Sequence, residues 1–91
     1  MELKGKRLDQ MIKEFEETKT QIGKIVGEIA KSQSIEILEE YRNRTEEEIE
    51  NLIRQKLPEK LLESFEENKD FFVLKFRREC RKQIQNLKKS R

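Results

Sequence analysis

The residue best placed for chemistry is Cys80, within "KFRRECRKQIQNLKKSR". Arg77, Arg78, Arg81 and Lys82 surround it. Cations beside a thiol favour the thiolate, so this setting could make a reactive or redox-sensitive cysteine. The same residue also continues an apolar row, Phe72, Phe76, Cys80 and Ile84, at four-residue spacing. A buried cysteine behaves as a small hydrophobe. The spacing favours a core thiol over a switch.

The other candidate groups are carboxylates and cations. "TEEE" at 45–48 concentrates three glutamates, but acidic residues at a helix start are favoured by the helix dipole without any catalytic role. There is no histidine, so the commonest general base is missing. Cysteine–histidine and serine–histidine catalysis and the usual zinc sites are excluded with it. Gly5, Gly23 and Gly27 match neither phosphate-binding glycine fingerprint. The expectation is a protein that is not an enzyme, with no cofactor, no metal and no small-molecule substrate.

Basic side chains form the one group that could serve an anionic partner: Lys75, Arg77, Arg78, Arg81, Lys82, Lys88 and Lys89. Residues 71–91 carry a net charge of +7, residues 36–70 carry −6 and residues 1–35 carry +1. Such a run is most simply a solvated face, or a face that packs on the acidic segment of the same chain or of a second copy. A partner protein comes next, then nucleic acid, whose phosphates arginine and lysine would neutralise, then an anionic membrane surface. The phenylalanines lie on the apolar row, so aromatics for base stacking are not evident.

The elements that must position these groups are helical. The chain has 91 residues, 33% hydrophobic and 44% charged, enough for one domain (1–91) with a thin core. Three glycines and one proline leave little material for hairpins, so the expected class is all-α. The expected architecture is a bundle of about three helices, roughly 4–31, 35–57 and 59–88, with long coiled-coil-like first and third members. In the first, Leu8, Phe15, Ile22 and Ile29 recur every seven residues. "KSQS" at 31–34 then breaks the pattern and offers caps. "TEEE" matches a capping box, yet the apolar stripe passes through Thr45 in phase, which favours one continuous helix over 35–57. Pro58 marks the next boundary. "DFFVLKF" has strand-like composition but helical flanks and spacing, and is read as helix.

Two glycines inside the first helix ask for a reason, because each costs about 1 kcal/mol relative to alanine. Thr20, Gly23, Gly27, Ala30 and Ser34 fall on one ridge, roughly 120° from the heptad seam at about 100° per residue. A row of small residues lets a second helix approach closely. The candidate interface is therefore Leu8, Phe15, Ile22 and Ile29 on the seam, with Gly23, Gly27 and Ala30 on the ridge.

"IRQKLPEKLLESFEENKDFF" at 53–72 resembles the proline-interrupted helices in the effector segment of dynamin-type GTPases. No nucleotide-binding loop accompanies it, and no function is carried across. The functional expectation is a non-enzymatic protein–protein interaction or assembly module that self-associates as a dimer or holds a helical partner. The alternative is a nucleic-acid-binding protein using helix 75–91. The longest apolar run, Phe71 to Leu74, is too short to span a membrane. "MELKGKRLDQ" has no apolar signal core, and a lone cysteine builds no disulfide framework. An intracellular, cytoplasmic setting is the expectation.

Overall fold

A computed structural model describes residues 7–90. All of its regular structure is helical: α1 (Leu8–Ala30), α2 (Ile35–Arg42), α3 (Glu46–Lys56), a 3-10 turn (Glu59–Leu61), α4 (Leu62–Glu67) and α5 (Lys69–Lys89). The all-α class is as expected, but the count of three helices is not. Residues 4–6 of the expected first helix lie outside the described residues.

The middle helix is two helices. Thr45 accepts from the Glu48 backbone N–H, and the Glu48 carboxylate accepts from the Thr45 N–H, both at 3.1 Å. This reciprocal box satisfies two donors that a continuous helix would have bonded internally. The stripe keeps its phase across the break, so periodicity alone could not reveal it.

The last helix is also divided. Residues 59–61 form a 3-10 turn after Pro58, and the chain breaks again at Asn68. There the side chain Nδ2 donates to the Ser64 carbonyl at 2.9 Å, and the backbone N–H donates to the Phe65 carbonyl at 3.0 Å. Ser64 itself is buried within α4. At the first turn of the fold, Ser34 of "KSQS" does cap α2, accepting from the Ile37 N–H at 3.1 Å. Gln33 takes a left-handed conformation there, with φ of 55°.

The direction of the long helices follows from two fixed points. Phe15 of α1 lies 5.1 Å from both Phe71 and Phe72 of α5, ring to ring. Arg77 donates from Nη1 to the carbonyl of Arg42, at the end of α2, at 2.7 Å. α1 carries the chain about 22 Å from Phe15 to Ala30, and α2 returns about 11 Å before reaching Arg42. The two points are compatible only if α5 runs in the same direction as α1, with α2 running back along α5. The core so enclosed contains Ile22, Val26, Leu38, Ile49, Ile53, Phe65, Phe72, Phe76 and Cys80. Thr18 is buried among them, its hydroxyl donating to the Glu14 carbonyl at 2.7 Å.

Candidate interaction surface

The seam does not behave as one unit. Ile22 is buried, while Phe15, Ile29 and Ala30 are half-buried against the core. Leu8 stands 66% exposed and Ile12 56% exposed. The first two turns of α1 precede the level of Phe15, where α5 begins, so their apolar side chains find little of the chain to cover them. On α5, Phe71 and Leu74 are likewise exposed. Phe15 touches Phe71 and so joins the two sets. The result is one apolar stripe, Leu8, Met11, Ile12, Phe15, Phe71 and Leu74, across the start of both helices. The heptad reading located its α1 half. Its α5 half was missed, because Phe71 and Leu74 were absorbed into a single apolar run. Their three-residue spacing, off the Phe72/Phe76/Cys80 row, was the available signal.

Gly23 and Gly27 are open. A Cβ added at either would meet nothing within 4 Å. The close helix approach expected at this ridge is therefore not made by any described helix of the chain. Ser34, the last member of the ridge, lies beyond the end of α1 and caps α2 instead.

The basic residues separate into two groups. Lys75 and Lys82 hold Glu79 at 2.8 and 3.6 Å, and the Lys75 hydrogen bond keeps the Glu79 carboxyl below its ordinary range against the opposing effect of burial. Arg77 is spent on the end of α2, where a cation suits the helix dipole. Arg78, Arg81, Lys88 and Lys89 are exposed. The tail thus meets the acidic segment through a backbone carbonyl, while its described ion pairs lie within α5. A tie the sequence did not suggest joins α3 to α4: Arg54 donates from Nε and Nη2 to Glu66 at 2.6 and 3.2 Å. The guanidinium is thereby held above its ordinary range and the Glu66 carboxyl below it.

Cys80 is fully buried. Loss of solvation pushes its thiol up to about 11, although Arg42 and Arg77 pull the other way. Burial outweighs the neighbouring cations, and the core reading of this residue holds. Among the described residues no group of three or more cysteines and carboxylates could hold a metal ion, and no helix is long and apolar enough to cross a membrane. A groove of about 260 Å³ opens between α1, α2 and α3, floored by Ile25, Ile29, Tyr41 and Leu52. The carboxylate at its rim, Glu28, is paired with Lys31 at 3.0 Å.

The chain was compared with protein-family models, with curated proteins and with solved structures, and it matches none of them. The likeness of residues 53–72 to dynamin-type helices gains no support there.

Proposed function

We propose that this chain is a non-enzymatic helical assembly module, acting through the apolar stripe at the start of α1 and α5. The observation that carries the reading is the stripe itself. Leu8, Ile12 and Leu74 are each more than half exposed beside the half-buried Phe15. A chain with so few apolar residues gains little by leaving them in water, and contiguous exposed apolar side chains mark interaction sites. Light scattering after size exclusion tests the reading. A mass above the 11.1 kDa of one chain, unchanged between low and high salt, is expected of an apolar contact. A monomer throughout, with no protein partner recovered from extracts, overturns it.

The exposed cations Arg78, Arg81, Lys82, Lys88 and Lys89 favour a second reading, in which α5 binds nucleic acid. Its signature is a logarithm of affinity that falls linearly with the logarithm of salt concentration, with a slope set by the phosphates neutralised. Reversing charge at Arg78, Arg81 and Lys82 removes that binding if the reading holds. Unchanged affinity removes the reading.

A further inference from the structure

The groove between α1, α2 and α3 combines an apolar floor with a cationic end. Ile25 and Ile29 of α1, Tyr41 of α2 and Leu52 of α3 form the floor. The Arg44 guanidinium lies over the Tyr41 ring at 4.2 Å, which holds that part of the floor in place. Two lysines, Lys24 and Lys56, border the groove. Lys24 also borders the neighbouring hollow formed with Pro58 and Lys60, and Pro58 follows Lys56 by two residues. Both lysines therefore stand at the end nearest Pro58. Leu52 lies one turn back along α3 from Lys56, and Ile29 lies five residues beyond Lys24 on α1.

The charge at that end is uncompensated. Neither lysine makes a hydrogen bond or ion pair among the described residues, and the Glu28 carboxylate at the rim is taken by Lys31. Lys56 sits in the last turn of α3, where a cation suits the helix dipole. Lys24, in the middle of α1, has no such reason to be there. The volume of about 260 Å³ falls just under the roughly 300 Å³ at which ligand pockets begin. It has room for one short chain molecule and not for a second helix, which is about 10 Å across.

We propose that this groove binds a medium-chain alkyl carboxylate, with its carboxylate between Lys24 and Lys56 and its chain along Ile25, Leu52 and Ile29. From Gln21 to Ile29 the groove runs about 12 Å along α1. A staggered alkyl chain advances about 1.3 Å per carbon, so about eight carbons fill it. No local sequence pattern contains this site, because its residues come from three helices. It is separate from the apolar stripe, whose α1 arm ends at Phe15, and it does not depend on the assembly reading.

Tyr41 is the one tyrosine and the chain has no tryptophan, so tyrosine emission reports on this groove. Titrating the full chain with hexanoate, octanoate and decanoate below their micelle concentrations should change that emission saturably. Affinity should rise about tenfold from hexanoate to octanoate, at roughly three- to fourfold per buried methylene. The step to decanoate should be much smaller, since the chain then outruns the floor. Octanol, with the same chain and no charge, should bind about fivefold or more weakly. Lys24→Glu/Lys56→Glu, at two exposed positions, should weaken octanoate about tenfold or more with an unchanged circular-dichroism melt. Arg81→Glu/Lys88→Glu, which reverses two exposed cations elsewhere, should bind octanoate as the wild type does.

No saturable change in emission overturns the proposal. Octanol binding as tightly as octanoate overturns it too, since the lysines would then play no part. Acetate binding as tightly as octanoate would mean an adventitious ion only. Binding lost in Leu74→Glu but kept in Lys24→Glu/Lys56→Glu would move the acid to the stripe, and the proposal falls. Light scattering on the same samples reads the assembly separately, so failure at the groove leaves that reading standing.

Discussion

Phe71 and Phe72 are neighbours in sequence and opposites in circumstance. Phe72 is 0% exposed, at the centre of a cluster with Phe15 and Phe65, and Phe71 is 42% exposed. Both rings touch Phe15 at the same centroid distance, 5.1 Å. Side chains one residue apart on a helix point about 100° apart, and here that rotation separates the closed face of α5 from its open one. Burial, not residue type or the presence of an aromatic contact, decides what each ring contributes to the isolated chain. The closed face holds the fold together. The open face has apolar surface in reserve.

Substitution separates the two faces most sharply. Phe72→Ala removes a fully buried ring, and such changes cost about 3–5 kcal/mol, a large part of what a domain of this size holds at roughly 0.05–0.15 kcal/mol per residue. Phe71→Ala should cost about 1 kcal/mol or less, chiefly the edge contacts among the rings. Urea denaturation of the two variants measures the gap. The order should reverse for the proposed association, which Phe71→Ala should weaken more than Phe72→Ala does relative to the loss of fold stability. Equal losses of stability would mean that the division between the faces is wrong.

The glycine ridge offers a finer test of which surface is in reserve. With nothing within 4 Å of either added Cβ, Gly23→Ala and Gly27→Ala should each stabilise the chain by close to 1 kcal/mol, the helix-propensity difference. The exposed stripe on α1 runs from Leu8 to Phe15, before both glycines, so association through it should be unaffected. Association lost on Gly27→Ala would show that a helix docks on the ridge instead.

Much of the fold was legible because burial follows helical period. The buried row Phe72/Phe76/Cys80/Ile84 and the burial of Ile22 were readable from spacing, as was the helical state of "DFFVLKF". What period cannot show is where a helix stops while its stripe continues. Thr45 and Asn68 both interrupt the backbone without moving the apolar residues off the core side. The deciding information was in the caps, and the threonine–glutamate pair at 45 and 48 was visible but was outweighed by the phase argument. The candidate surface was half legible. The α1 arm came from the heptads. The role of Arg77 and the Arg54–Glu66 tie depend on partners 35 and 12 residues distant, which a local pattern does not contain. At Cys80 the four-residue spacing, which favoured a core thiol, was a better guide than the four cations nearby in sequence, because desolvation is the larger effect.

The cap that divides α2 from α3 should be worth less than a core ring and can be measured directly. Thr45→Ala removes the acceptor for the Glu48 N–H and should cost about 1 kcal/mol, within a usual range of roughly 0.5–2. Thr45→Ser keeps the acceptor and should recover most of it. A silent Thr45→Ala would favour the continuous helix over 35–57 after all.

The smallest effect expected belongs to the boundary between the two faces, where Glu79 is held by Lys75 and Lys82. Its carboxyl ionises below the ordinary value of 4.5, so the folded chain binds this proton less readily than the unfolded chain does. The sign follows by linkage. The contribution of the pair is fully present above about pH 4.5, and it is lost as pH falls through the lower, folded-state value. Helical pairs at this spacing are worth about 0.3–0.5 kcal/mol, so Glu79→Gln should lower stability at pH 7 by about 0.5 kcal/mol. The difference between variant and wild type should then close in acid, once the native carboxyl is itself protonated. Urea midpoints from pH 7 to pH 2 measure this. A gap that persists at the acid end would mean that the glutamate acts through packing against the helix surface rather than through its charge.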